Sequence, residues 1–255
     1  MRLHTRSIAV LALASALLCG AAQAQRAQEY EPSVGQAGKD VVWVPTPHQL
    51  VEKMLDMAQV TPQDYVIDLG SGDGRTVIAA AKRGARSLGV EYNPEMVEYS
   101  RRAAEREGVS ARAKFVQGDM YQADISQATV LPLFLLQDNL RKLAPRFAAL
   151  KPGTRIVTNG FLIPTWEYVE SGRAEGDCAA WCTAYLYIVP ARVSGTWQVP
   201  QGTLKLEQKF QAISGTLDGV AISQGRVRGD RISFTVNGAK YFGRVNDNGI
   251  TLTEK

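Results

Sequence analysis

At 255 residues, 45% of them hydrophobic and 21% charged, the chain has an ordinary globular composition, enough for one medium domain and a small one, and disorder is not its default. Its formal charge is +4, and no dense Lys/Arg stripe interleaved with aromatics accompanies it, so a nucleic-acid partner is not indicated. Arg101, Arg102 and Arg106 make only a short basic patch, which reads as one solvated helix face.

In chain order, residues 1–24 come first. MRLHTR is basic without acids, SIAVLALASALL is apolar, and Ala22-Gln23-Ala24 supplies small residues before Gln25, the pattern of a secretory signal peptide. The expected location is therefore exported, periplasmic or secreted. An uncleaved anchor would want the ~20 apolar residues that span a bilayer, and a lipoprotein at Cys19 would want a small residue where Leu18 stands. No other segment is apolar and long enough to cross a membrane, so the mature chain is expected to have no transmembrane segment. Cleavage takes away Arg2 and Arg6 and no acid, lowering the charge from +4 to +2.

Residues 25–40 are polar, with Gly35 and Gly38, and read as a flexible leader without a core face. VVWVPTP then leads into a helix over His48 to Ala58, with Leu50, Val51, Met54, Leu55 and Ala58 at helical spacing. From there strands and helices alternate. Strands are expected at Tyr65 to Leu69, Ser87 to Glu91, Ala113 to Gln117, Ala128 to Leu136 and Thr154 to Thr158. Helices are expected at Arg75 to Arg83, Pro94 to Glu107 and Asn139 to Leu150. That alternation implies a parallel sheet covered by helices on both faces.

Cys178 and Cys182, in DCAAWC, are the cysteines left after cleavage. An oxidising compartment favours a small disulfide between them, and free thiols remain the open alternative. His48 is the one histidine left and no second cysteine pair exists, so no metal site is expected. Beyond Pro190 the period changes to apolar/polar alternation (LKLEQKF, RISFTV, YFGRV, ITL), broken by Asp218-Gly219, Gly229-Asp230, Asn237-Gly238 and Asn248-Gly249. Residues 191–255 are thus expected to form a second domain, a meander or small barrel of about six or seven short strands. Trp197 and Tyr241 would fill its interior or line a binding face.

The chemistry centres on Asp68-Leu69-Gly70-Ser71-Gly72-Asp73-Gly74, a glycine loop between a strand and a helix, where a ligand can approach the backbone. A dinucleotide fingerprint starting at Gly70 would need glycine where Arg75 stands. Asp68 and Asp73 would repel a pyrophosphate but attract the sulfonium and ammonium groups of S-adenosylmethionine. Glu91, in GVEYNP, lies 17 residues beyond Gly74, where a carboxylate accepts ribose hydroxyls. Gly118-Asp119-Met120 would set an acid by the adenine amino group and an apolar side chain by its ring.

VIDLGSGDGR, GVEYNP and GDM resemble the first motifs of class I S-adenosylmethionine-dependent methyltransferases, over roughly residues 41–161. VWVPTP, ATVLPLFLLQDNLRKLAPRF and LKPGTRIVTNGF resemble more closely the bacterial relatives of the mitochondrial lysine methyltransferases that act on the adenine nucleotide translocase and on the c-type subunit of ATP synthase. The resemblance implies a Rossmann-like methyltransferase domain over residues 41–190, S-adenosylmethionine as cofactor, and methyl transfer to an amine such as a lysine of a protein substrate. It also implies that Pro45 and Thr46 close over the cofactor, and that Asp68, Gly70, Ser71 and Gly72 hold its methionine part. Glu91, with Tyr92 and Asn93, would take the ribose, and Asp119 and Met120 the adenine. The D/N-P-P-aromatic motif of base amino-methyltransferases is absent, Leu135-Leu136-Gln137-Asp138-Asn139 standing in its place. Asp138, Asn139 and Asn159 are the polar candidates beside the transferred methyl, with a helix cap at Asp138 and a turn at Asn159 as the competing structural roles. Two other functions stay open: an exported protein that binds the cofactor or its product without turnover, and an envelope interaction protein.

Overall fold

A computed structural model describes residues 30–176, 178–246 and 248–254. The export segment expected at 1–24 lies outside the described residues. The first half alternates as the periodicity requires: α1 (His48–Met57), β1 (Tyr65–Leu69), α2 (Arg75–Lys82), β2 (Arg86–Glu91), α3 (Pro94–Arg106), β3 (Ala113–Gln117), β4 (Val130–Leu133), α4 (Gln137–Ala148) and β5 (Arg155–Asn159). The fourth strand is shorter than expected, and α4 begins two residues early, with Leu136 in an extended conformation as its N-cap. Asp138 therefore sits inside the first turn of α4 and is not its cap.

Two strands were not expected. After β5 the chain makes β6 (Glu170–Arg173) and returns as β7 (Thr183–Ile188), giving the order β3-β2-β1-β4-β5-β7-β6. The first five strands are parallel, but β7 runs antiparallel to both β5 and β6, so the sheet is mixed rather than wholly parallel. No helix intervenes between β6 and β7, and a direct return of the chain permits only antiparallel pairing. Strand alternation sorts the apolar residues to two faces. Val66, Val130, Val157, Ala184 and Leu186 pack with Leu50, Val51, Met54 and Leu55 of α1. Ile67, Leu131, Leu133, Ile156 and Tyr187 pack with Leu140, Leu143 and Phe147 of α4.

The remainder is an antiparallel meander of β8 (Gly195–Val199), β9 (Gly202–Lys209), β10 (Ala212–Leu217), β11 (Val220–Ala221), β12 (Ser223–Arg228), β13 (Arg231–Val236), β14 (Ala239–Asn246) and β15 (Gly249–Glu254). These are eight strands rather than six or seven, the extra one being the two-residue β11, which pairs only with β10. At Asp218-Gly219 and Asn237-Gly238 both residues have positive φ, the conformation that joins twisted strands in two-residue hairpins. The edge strands β8 and β15 lie against each other, and Gln201 Nε2 donates to the carbonyl of Leu252 at 3.3 Å, so the sheet nearly closes into a barrel. Its interior is filled by Val193, Leu204, Val227, Ile232 and Phe234, with Tyr241 stacked on Phe234 at 5.4 Å. Trp197 packs on the same core and donates its indole N–H to Val193 O at 2.8 Å, so both aromatics serve the interior.

The barrel is fastened to the first sheet. Glu167 N–H donates to Gln211 Oε1 at 2.8 Å and Gln211 Nε2 donates back to Glu167 O at 2.9 Å, with the Gln211 side chain buried. Trp166 lies on Phe210 with ring centres 3.7 Å apart.

Candidate active site

Strand order reverses direction between β1 and β4, and in such sheets the carboxyl ends of the strands at that point open a crevice. A cleft of about 990 Å³, its mouth included, lies there, lined by residues 36–46, the glycine loop, the ends of β2 and β3, and Pro132 to Leu135. Pro45, Thr46, Asp68, Gly70, Ser71, Gly72, Glu91, Tyr92, Asn93, Asp119 and Met120 all line it.

The loop is built from its glycines and the acid opposite. Gly70 and Ser71 donate to Val90 O at 2.8 and 3.1 Å, which turns the chain sharply off β1. Gly72 has φ +54, and a Cβ there would stand 2.4 Å from the Trp43 indole nitrogen, so only glycine lets the aromatic close on this backbone. Glu91 accepts Gly72 N–H on one carboxylate oxygen at 3.0 Å and Asn93 N–H on the other at 2.9 Å. Each oxygen keeps a lone pair for a ligand hydroxyl. Asn93 in turn caps α3, its side-chain oxygen accepting Glu95 N–H at 2.8 Å.

The two loop acids differ. Asp73 is held by Arg75 at 2.6 Å, and Arg75 also donates to Thr46 O at 2.9 Å, pinning the N-terminal segment to the loop. Its charge is thereby offset, which the sequence pattern does not foretell. Asp68 is buried and its carboxyl accepts no hydrogen bond from the described residues; burial first, then the negative charges of Glu91 and Asp73, push its pKa up to about 8. Ser71 Oγ is likewise buried without a partner. On the far side, Asp119 accepts the Lys39 ammonium at 2.6 Å and Tyr121 N–H at 2.8 Å, and the first more than the second holds its carboxyl below the usual range. Lys39 also lies 5.1 Å from the centre of the Tyr92 ring.

The three polar candidates for the methyl-transfer step separate. Asp138 has 78% of its side chain exposed, pairs with Arg141 and does not line the cleft. Asn139 is buried behind Tyr121, donating to its hydroxyl at 2.8 Å, with its side-chain oxygen unpartnered. Asn159 ends β5 rather than following it, and the turn falls at Gly160, φ +70. It is fully buried and does not line the cleft, its Nδ2 lies 3.4 Å from Thr46 Oγ1, and its Oδ1 has no partner among the described residues.

Residues 36–40, read from sequence as part of a flexible leader, instead wall the cleft together with residues 41–44: Gly35 N–H bonds Trp43 O at 2.8 Å and Trp43 N–H bonds Gln36 O at 2.9 Å, folding the segment on itself. Trp43, Lys39 and Phe134 are cleft residues that the sequence pattern did not single out. An aromatic within VVWV, directly before the matched PTP, was the available signal for the first.

Comparison with known proteins agrees with this geometry. Residues 68–170 match the ANTKMT methyltransferase domain, and residues 31–102 match a DNA methylase family. A protein-lysine N-methyltransferase of Saccharolobus islandicus is 41% identical over 152 residues, which are 58% of this chain and 94% of that protein. The lysine N-methyltransferase of Rattus norvegicus that is named for the c-type subunit of ATP synthase is 37% identical over 125 residues, and the chain spans 57% of its length. The crystal structure of an RNA methyltransferase from Salinibacter ruber with S-adenosyl-L-homocysteine superposes with a TM-score of 0.55 at 40% identity, over 59% of this chain and 96% of that one.

Proposed function

The chain belongs to the family of S-adenosylmethionine-dependent protein-lysine methyltransferases, and from that premise we propose that it methylates a lysine amine of a protein, with its cofactor held in the cleft between the glycine loop, Glu91 and Asp119. The observation that carries the cofactor placement is the charge of the donor set. Asp68 and Glu91 face the cleft without a cationic partner, Asp119 faces it paired with Lys39, and Arg75 is occupied by Asp73, so no free cation lines it among the described residues. Such a lining disfavours a pyrophosphate and suits a ligand that carries positive charge and two ribose hydroxyls.

The residues fit that ligand in detail. The buried, unpartnered Asp68 carboxyl would take an ammonium group, ionising as it does so, and Ser71 Oγ would find its missing partner in the same part of the ligand. Glu91 would accept hydroxyls on its spare lone pairs, and Asp119 an adenine N–H beside Met120. When bound, S-adenosylmethionine supplies an activated methyl group that an unprotonated amine takes by in-line displacement. The chain must therefore align the amine and exclude water rather than provide strong acid or base. Thr46 lines the cleft and its hydroxyl accepts a hydrogen bond from the buried Asn159 side chain at 3.4 Å.

Non-catalytic binding is not favoured, because the relatives that this chain matches are named as methyltransferases. We also propose that the protein works outside the cytoplasm. The signal-like composition of residues 1–24 supports this, as does the Cys178–Cys182 disulfide, since such bonds persist in oxidising compartments.

The test is calorimetric titration of residues 25–255 with S-adenosylmethionine, S-adenosylhomocysteine and NAD. The expected result is binding of the first two and not the third, lost in Glu91→Ala. Incubation with labelled cofactor, followed by mass spectrometry for methylated lysine, then tests the acceptor class; label appearing only on nucleic acid would overturn it.

A further inference from the structure

Beside the cleft, the carboxyl edge of the sheet carries a second group of residues beyond those that line it. Phe134, which lines the cleft, has its ring 5.6 Å from Trp181 and 6.5 Å from Phe161, and these two stand 5.1 Å apart. The three rings thus run continuously from the cleft to the surface, where Trp181 is 43% exposed. Against them lies the Asn159-Gly160 turn, with the fully buried and unpartnered Oδ1 of Asn159. A Cβ on Gly160 would come within 2.8 Å of the Trp181 ring, so the indole rests on backbone that only glycine leaves free.

Trp181 is held there against its own preference. Its φ is +56, a left-handed conformation that a bulky residue rarely adopts. It is the residue before Cys182 in the short loop closed by the Cys178–Cys182 bond, whose Cα atoms are 5.8 Å apart. That loop joins β6 to β7 and lies beyond residues 68–170, the stretch matched by the methyltransferase-domain family.

We propose that Phe134, Phe161 and Trp181 form the port through which the acceptor amine reaches the cofactor, with the Cys178–Cys182 disulfide holding Trp181 as its outer wall. The proposal rests on the lysine reading above and specifies where the lysine enters. Ring faces attract an ammonium at the mouth and pack against a four-carbon stem. Farther in, the low dielectric disfavours the charged amine and so releases its proton, and the Asn159 oxygen accepts an N–H of the neutral amine. Each part of a lysine side chain thereby meets the surface its chemistry needs.

The experiment uses the full oxidised protein saturated with S-adenosylhomocysteine, titrated with Nα-acetyl-lysine N-methylamide and followed by ligand-observed NMR. The norleucine analogue serves as the uncharged control, and cofactor affinity is measured by calorimetry on the same samples. Wild type is expected to bind the lysine probe at least tenfold better than the norleucine one. Trp181→Ala should lose about tenfold, Trp181→Phe should recover most of it, and homocysteine-product affinity should stay constant. Dithiothreitol, which donates two electrons and two protons to make two thiols and closes to its own cyclic disulfide, should weaken the lysine probe several-fold, and Cys178→Ser with Cys182→Ser should do the same. Unchanged lysine binding in Trp181→Ala and after reduction overturns the port, as does a parallel loss of cofactor affinity, which would make Trp181 merely structural. Wild type that binds the cofactor product but not the lysine probe also overturns the port while leaving the cofactor site standing. Failure to bind the cofactor product at all would instead overturn the reading on which the port rests.

Discussion

Asp64 lies just before β1 and Asp68 near its other end, both expose little surface, Asp68 is the more deeply enclosed, and the two behave oppositely. At the amino end, burial pushes the Asp64 carboxyl up, but Thr61 N–H at 2.8 Å, the Thr129 hydroxyl at 2.7 Å and the Arg155 guanidinium outweigh it and hold it below the usual range. Arg155 also donates to Ala58 O at 2.7 Å, so this one cluster ties the end of α1 to the starts of β1, β4 and β5. At the carboxyl end, Asp68 has only burial and two like charges for company, and Ser71 in the loop that follows and Asn159 at the end of β5 have oxygens unpartnered among the described residues. An unpaired buried polar group costs about 1–3 kcal/mol. One edge of the sheet thus completes its polar groups internally, and the other leaves them open, as the proposed cofactor site requires.

The largest effect is expected from breaking the completed edge. Asp64→Ala leaves Arg155, three-quarters buried, without its carboxylate, and loss of one partner of such a pair costs about 3 kcal/mol. For a chain of this size that lowers Tm by roughly 6–12 °C. The affinity for S-adenosylmethionine at low temperature should stay within about twofold of wild type. Because the folded-state pKa of Asp64 is depressed, its contribution is present above the unfolded value near 4 and is lost as pH falls through the folded one. The Tm difference between variant and wild type should accordingly shrink on acidification, and scanning calorimetry from pH 7 to pH 3 measures it. A constant difference would remove Asp64 ionisation from the account.

At the other edge the same substitution logic inverts. Asp68→Asn should weaken S-adenosylmethionine by about 10- to 100-fold, the size of a charge-assisted hydrogen bond. The same change should stabilise the ligand-free protein at alkaline pH. A raised folded pKa means that the stability contribution is complete below the unfolded value and is lost as pH climbs through about 8, a loss that asparagine does not suffer. Tm of variant minus wild type should therefore rise from pH 5 to pH 9. Cofactor binding to wild type should release a proton near pH 7, read as a dependence of calorimetric enthalpy on buffer ionisation heat. A variant less stable than wild type at pH 9, with affinity intact, would make Asp68 a structural residue like Asp64.

How far these edges were legible follows from which forces leave a local trace. The five parallel strands and their helices were legible because apolar spacing, Asn93 and the glycines are local signals. Glycine spacing and acids at Asp68, Glu91 and Asp119 located the cleft for the same reason. Strand β7 escaped because both its faces are covered: Ala184 and Leu186 pack toward α1, Tyr185 and Tyr187 toward α4, so TAYLYI lacks the apolar/polar alternation of a half-buried strand. The division of labour between Asp73 and Asp68 escaped because it depends on where the Arg75 guanidinium goes. Asp138 looked like a site residue because it follows β4, but the early start of α4 turns it to solvent.

Residues 36–40 are the instructive miss, since their polar composition hides part of a wall that reaches the site from outside the strand pattern. Lys39 gives that wall a charge, set on Asp119 at the adenine end, and the pair is partly exposed, with side chains 35% and 18% accessible. Such pairs contribute little to stability, so Lys39→Ala should change Tm by no more than about 1–2 °C. Its effect belongs to binding. With Tyr121 N–H already on one oxygen of Asp119, an adenine amino group must share or displace the ammonium on the other. Removing Lys39 should therefore raise S-adenosylmethionine affinity about two- to threefold, and more at low salt than at high, where screening already weakens the competitor. A fall in affinity would give the segment the opposite role, a clasp that helps hold the ligand in place, and would extend the ligand-completed edge beyond the strands to the chain that crosses over them.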